Sequence, residues 1–215
     1  MRLKRDWMSL TRYTLLAMFA AALSAAPSWA IAEEEGPSGL EGFNALSVEG
    51  PLQISEASPE HAKIRDSAIQ RQIDLVSGYI VSRNRSLPES EVKRIARAIV
   101  DYSARYGVDF RLLTSLISVE SSFRRDAVSS SGAIGLGQLK PDTAKWLGVV
   151  DPYDPIDNIA GTARFLGWLV RKYNGDLESA LSAYYQGPGF VDRNGVTSIC
   201  VPYLEKINKA LIGLI

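Results

Sequence analysis

The stretch Asp109–Phe123, DFRLLTSLISVESSF, decides how this chain is read. Asp109 is a helix-capping residue, and Leu112, Leu113, Leu116 and Ile117 follow at the spacing of one helix face. Counting back three, four, seven and eight residues from Glu120 lands on those same four apolar positions. Glu120 therefore belongs to the apolar stripe of its helix, where a solvated acid has no reason to stand. Burial disfavours the ionised form of a carboxyl and raises its pKa. A general acid at neutral pH needs that shift. The plain structural alternative is a helix-end glutamate that pairs with Arg124 or caps a backbone amide, and on geometry alone both readings stand.

Helical signals continue on both sides. Ser86-Leu-Pro-Glu89 has the form of a capping box with proline in the first turn. Val92, Ile95, Ala96, Ile99 and Val100 then mark a helix face that Gly107 ends. A Ser- and Gly-rich stretch runs from Ser129 to Gly137. Pro141 opens a short helix closed at Gly148, and Asp154-Pro155 starts a longer one carrying Ile159, Ala163, Leu166, Leu169 and Tyr173. Asp176 caps a further helix through Tyr184, broken by Gly187-Pro188-Gly189, and a last helix passes Tyr203 and Ile207. No segment alternates with the period of two that a strand requires, so the expected class is all-α.

Upstream the signals are different. Arg2, Lys4, Arg5 and Arg12 precede an apolar run from Tyr13 to about Ala26, then Ala-Pro-Ser-Trp-Ala. That order is the plan of a secretory signal over residues 1–30, with cleavage after Ala30 or Ala32; an uncleaved anchor or a buried helix is the alternative. No cysteine lies near that point, so no lipid anchor is expected there, and the expected location is the periplasm or cell wall. Residues 33–60, rich in Glu, Gly, Pro and Ser, read as a flexible linker. Residues 61–85 read as a helical lead-in bearing Ile64, Ile69, Ile73, Val76 and Ile80, whose packing partner is not legible. Residues 86–215 form the expected catalytic domain, and a chain starting near Ser86 is expected to suffice for activity.

The composition narrows the chemistry. Lys and Arg total 24 against 24 Asp and Glu, and loss of residues 1–30 leaves 20 against 23. A mildly acidic mature chain has no electrostatic footprint for nucleic acid. Cys200 is the only cysteine and His61 the only histidine. There is no internal disulfide and no Cys/His zinc set, and His61 lies in a polar stretch far from any motif. Hydrolytic chemistry here rests on carboxylates.

Three motifs, Glu120-Ser-Ser-Phe123, Ala127-Val-Ser-Ser-Ser-Gly-Ala-Ile-Gly-Leu-Gly-Gln-Leu139 with Pro141, and Ala183-Tyr-Tyr-Gln-Gly-Pro-Gly189, resemble the lytic transglycosylase domain of the soluble-lytic-transglycosylase (SLT) type. The resemblance covers about Pro88 to Ile207. It implies a lysozyme-like α-domain with a glycan groove, peptidoglycan glycan strands as substrate, Glu120 as the sole catalytic acid/base, and no metal or cofactor. It also implies a bond between N-acetylmuramic acid (MurNAc) and N-acetylglucosamine (GlcNAc) cut with formation of 1,6-anhydro-MurNAc. Ser129, Ser131, Gln138, Tyr184 and Tyr203 match groove positions of the family. Loop hydrogen bonding is the plainer account of the two serines, and core packing that of the two tyrosines. Gly132, Gly135 and Gly137 are expected to let backbone approach the sugar. Two residues depart from the family pattern, Gly137 where Met is usual and Tyr185 where Asn is usual; both bear on substrate placement. Trp146 and Trp168 are expected in the core. A monomer is expected, with an envelope or secretion machine left open as a partner. The rival readings are a goose-type-lysozyme-like hydrolase and an inactive peptidoglycan-binding scaffold.

Overall fold

The structure is a computed structural model that describes residues 59–214. The readings of residues 1–58 as signal and linker lie outside the described residues. Eight α-helices follow in order among the described residues: α1 Pro59–Arg83, α2 Glu89–Tyr106, α3 Phe110–Ser121, α4 Pro141–Trp146, α5 Pro155–Lys172, α6 Leu177–Gln186, α7 Pro188–Asn194 and α8 Val201–Ile212, with a 3₁₀ turn at Ser198–Cys200 before the last. The only extended pairing among them is a pair of isolated bridges, Val128 with Ile134 and Ile134 with Leu139.

Helix ends follow local chemistry. The Asp109 carboxylate accepts the Arg111 backbone N–H at the start of α3. Asp154 accepts those of Ile156 and Asp157, and Asp176 those of Glu178 and Ser179. Gly107 ends α2 with φ 67°, in the left-handed region that glycine tolerates best. The capping box expected at Ser86 does not form. Pro88 occupies the cap without a side-chain bond, and the Ser86 hydroxyl donates to Asn84 Oδ1. At Gly187 the break is a hinge: φ is 90°, and Pro188, placed at the first turn, restarts the chain as α7.

α3 is the central element. It packs against α1, α2, α5 and α8, and every residue from Leu112 to Ser118 is buried. α2 lies along α5, where Gly167 permits the approach: a Cβ there would stand 2.5 Å from the Tyr106 carbonyl oxygen. A second, smaller apolar cluster joins Leu139, Ala144, Leu147, Phe165, Leu169, Ala180, Ala183 and Val191 beneath α4–α7. Tyr184 packs against both clusters. Trp146 and Trp168 sit at the rim of the second cluster, not inside it. Trp146 is 49% exposed and edge-on to Phe165 and to Trp168, which is itself only half-buried.

The sequence left open what α1 packs on, and the structure answers that. Ile73, Val76 and Ile80 are buried in the same cluster as the α2 and α3 stripes, and the Tyr79 ring meets Phe123 edge-on. Ile64, in the earlier part of the helix, is exposed. The core therefore continues across residue 86, and a chain starting there would lack part of it. Burying three such side chains contributes about 1.5–3 kcal/mol each. That total is comparable with the whole stability of many domains. A chain beginning at Ser86 should consequently melt far below the 59–215 chain, or fail to fold, when both are followed by far-UV circular dichroism. Equal melting temperatures would show that α1 adds nothing to the core.

Candidate active site

Glu120 stands in the last turn of α3, half-buried, one residue before the helix ends at Ser121. Ser122 and Phe123 then take left-handed conformations, φ 53° and 58°, which turn the chain sharply. Phe123 is driven fully into the core, which offsets that unfavourable backbone. The turn leaves Glu120 half-buried while the preceding turns of α3 stay enclosed.

The carboxyl has one close partner, the Tyr203 hydroxyl on α8, which donates to Glu120 Oε1 at 2.6 Å. Burial pushes the pKa of Glu120 up from 4.5 to about 7, and the Tyr203 hydrogen bond pulls it partly back. No neighbouring carboxylate is among the causes of that shift. Burial, with the Glu120 charge added, pushes the hydroxyls of Tyr184 and Tyr203 well above the ordinary phenol value. Both stay protonated as donors. Arg124, the alternative partner for Glu120, instead directs its Nε to the Ser121 carbonyl at 3.1 Å.

The segment from Ala127 to Leu139 folds into a compact irregular loop. The Gly135 N–H donates to the Ala127 carbonyl, and Ile134 and Leu139 exchange two backbone bonds at 2.9 and 3.0 Å. Gln138, at φ 52°, directs its side-chain NH2 to the carbonyls of Ala127 and Gly135, at 3.1 and 2.9 Å. Its donors are thus spent inside the loop and its carbonyl oxygen is the group left to accept. The Ser129 hydroxyl accepts the Ala133 N–H at 2.9 Å and lies 3.1 Å from the exposed Ser131 hydroxyl. Tyr184 donates to the Gly137 carbonyl at 2.7 Å, fastening α6 to this loop.

A residue that the sequence reading missed holds the loop in place. Asn158, fully buried in the first turns of α5, donates to the carbonyls of Ile134 and Pro152 at 3.1 and 2.8 Å. Its Oδ1 accepts the Gly137 N–H at 2.7 Å. The signal was present: Asn158 and Thr162 sit four apart on a buried face with Leu166, as Glu120 does on α3. The same contacts give two of the glycines a structural use. A Cβ on Gly135 would lie 2.3 Å from Asn158 Nδ2, and one on Gly137 would lie 1.9 Å from Thr162 Oγ1. These two glycines let the loop approach α5 closely. Gly132, φ 79°, has open space around it and serves the turn itself.

Comparison with known proteins agrees with this architecture. Residues 97–198 match the transglycosylase SLT domain family. That match supports an SLT-type lytic transglycosylase domain over this part of the chain. Over 85 residues it is 46% identical to a transglycosylase of Enterobacteria phage PRD1, covering 40% of this chain and 32% of the phage protein. Over 90 residues it is 40% identical to membrane-bound lytic murein transglycosylase F 1 of Alkalilimnicola ehrlichii, covering 39% of this chain and 18% of that protein. The chain thus spans a third or less of the length of these curated relatives. An inactive mutant of the lytic transglycosylase Slt from Pseudomonas aeruginosa shares the fold, with a TM-score of 0.51 at 23% identity, over 54% of this chain and 23% of that one. Among the described residues of the SLT-type domain and α1, no helix is long and apolar enough to cross a membrane.

Two substitutions test this geometry. Glu120 has a folded-state pKa above its unfolded value, so the fold favours the protonated form. Its ionisation weakens the fold progressively as pH rises from about 4.5 to about 7, and by a constant amount above that. Glu120→Gln, of similar shape but uncharged, should therefore be as stable as wild type near pH 4.5 and more stable at pH 8, by up to about 3 kcal/mol. Urea unfolding at the two pH values reads this difference, and a pH-independent gap would contradict it. Asn158→Asp removes the two N–H donors that hold Ile134 and Pro152 and buries a charge. It should cost about 3 kcal/mol or more. Thermal unfolding within a degree or two of wild type would show that the pin carries no weight.

Proposed function

We propose that this chain is a peptidoglycan lytic transglycosylase, an exported enzyme that cuts the β-1,4 bond between MurNAc and GlcNAc and leaves 1,6-anhydro-MurNAc ends. The observation that carries the proposal is the Glu120 carboxyl, set on the buried stripe of α3 and accepting from the Tyr203 hydroxyl at 2.6 Å, where burial raises its pKa to about 7. Glycosidases that add water generally use two carboxylates, one as acid and one as base or nucleophile. One carboxyl suffices when the nucleophile is part of the substrate.

The steps follow from that. Protonated Glu120 gives its proton to the glycosidic oxygen, and the bond from that oxygen to C1 of MurNAc breaks as positive charge grows on C1. The GlcNAc side leaves with the new hydroxyl. The Glu120 carboxylate then takes the proton of the same MurNAc's C6 hydroxyl while its oxygen attacks C1, which closes the ring and restores the acid. A tethered hydroxyl carries the high effective concentration of an intramolecular reaction, so no held water is needed. Between the two transfers the Tyr203 hydroxyl stabilises the carboxylate. Among the other groove residues, Gln138 offers an acceptor suited to the N–H of an N-acetyl group, and the Ser131 hydroxyl is open to the same side chains. Ser129 and Tyr184 act mainly by shaping the wall that presents them.

Purified sacculi digested with the protein should yield muropeptides ending in 1,6-anhydro-MurNAc, one water lighter than hydrolysis products and resistant to borohydride. Mass spectrometry of reduced and unreduced digests decides this, and mainly reducible ends would favour the lysozyme-like hydrolase. Glu120→Gln should lower turnover at least ~10²-fold. With wild type, kcat/KM should fall as pH rises through about 7, because the donating form of Glu120 is lost there. A flat profile from pH 6 to 8.5 would remove Glu120 from the role of acid.

A further inference from the structure

Tyr184 and Tyr185 are consecutive on α6 and point to different neighbours. Tyr184 turns inward, its ring 5.1 Å from that of Phe165 and its hydroxyl on the Gly137 carbonyl. Tyr185 stacks on Tyr203, with ring centroids 4.7 Å apart and planes 17° from parallel. Tyr203 is almost fully buried, yet Tyr185 remains 52% exposed. One face of the Tyr185 ring is therefore covered by Tyr203 and the other is turned to water. The covered side leads directly to the reaction, since the Tyr203 hydroxyl lies 2.6 Å from Glu120 Oε1.

An aromatic face beside an acid, backed by a second ring, has a definite chemical use. The face of the ring carries partial negative charge. A pyranose presents a flat side of C–H groups that are weakly positive, and packing the two together removes apolar surface of both from water. Stacking on a buried partner also fixes the Tyr185 side chain in advance, so that little rotamer freedom is lost when a sugar arrives.

We propose that Tyr185 is a substrate-positioning residue whose outward face is a stacking platform for an N-acetylhexosamine ring next to the bond that Glu120 protonates. This rests on the proposed function for the identity of the reaction, but the platform itself is a matter of binding and can be measured without turnover. The competing role for Tyr185 is that of a cover which keeps water from the Tyr203–Glu120 hydrogen bond. The two roles separate cleanly: a platform acts on affinity, whereas a cover acts on the pH dependence of the acid.

The experiment titrates a GlcNAc pentamer into full chains carrying Glu120→Gln alone, with Tyr185→Phe, and with Tyr185→Ala, by calorimetry. Thermal unfolding confirms that each variant is folded. Tyr185→Ala should raise Kd roughly 3- to 10-fold, and Tyr185→Phe should stay within about 2-fold of the parent, because the ring and not the hydroxyl is used. With Glu120 intact, Tyr185→Ala should raise KM for glycan by a similar factor and leave the fall of kcat/KM near pH 7 where it is. The inference is overturned if Tyr185→Ala binds as tightly as the parent, if Tyr185→Phe loses as much as Tyr185→Ala, or if the pH limb moves while Kd does not. Failure of the Glu120→Gln parent to bind the pentamer overturns it as well. Wild type that binds the pentamer in a Tyr185-dependent way but cuts no sacculi would instead sink the proposed function and leave the platform standing.

Discussion

Among the described residues, the site depends on keeping α3 enclosed by its neighbours while Glu120, in its last turn, stays half-buried. Four helices cover the Leu112–Ser118 segment, so the helix cannot tilt or slide without breaking contacts with each of them. The carboxyl at its end inherits that rigidity. It also inherits a dry environment, because the same packing that fixes Glu120 removes water from most of its surroundings. Position and acidity are thus two results of one arrangement. The Tyr203 hydroxyl acts against the second of them, favouring ionisation enough to hold the group near neutrality.

Two parts of the site are held by different physics. On the α8 side, Tyr203 is anchored by apolar burial and meets the acid through one strong hydrogen bond. On the loop side Leu136 and Leu139 are buried, but the backbone is irregular and its polar groups must be satisfied one by one. Asn158 does much of this, since one amide serves two carbonyls and one N–H. Gln138 does the same from within the loop. The glycines at 135 and 137 belong to this part as the absence of side chains that would otherwise collide with α5.

The helical class and the place of Glu120 on the buried stripe of α3 were legible because both follow from periodicity, whereas its role as acid rested on the resemblance. The loop was legible as a motif but not as a mechanism. Its serines, glutamine and glycines read as groups facing sugar, whereas Ser129, Gln138, Gly135 and Gly137 are largely occupied with holding the chain to itself and to α5. Nothing local in the sequence says which segment a glycine must approach; that partner lies 20 or more residues away, at Asn158 and Thr162. Likewise the buried residues of α1 are spaced like any amphipathic helix, and only the three-dimensional arrangement reveals which surface they cover. Gly187-Pro188-Gly189 read as a break, although proline in a first turn favours the new helix that follows it.

The acid and the tyrosine that moderates it are 83 residues apart in the chain. A ribosome therefore releases Glu120 and all three motif segments well before it releases Tyr203. Closing so distant a contact comes late in folding, after nearer contacts have formed, because the chain between must first be ordered. A polypeptide that ends before α8 carries Glu120 and all three motif segments and lacks the tyrosine bonded to its acid. Completion of the site is in this way tied to the arrival of α8.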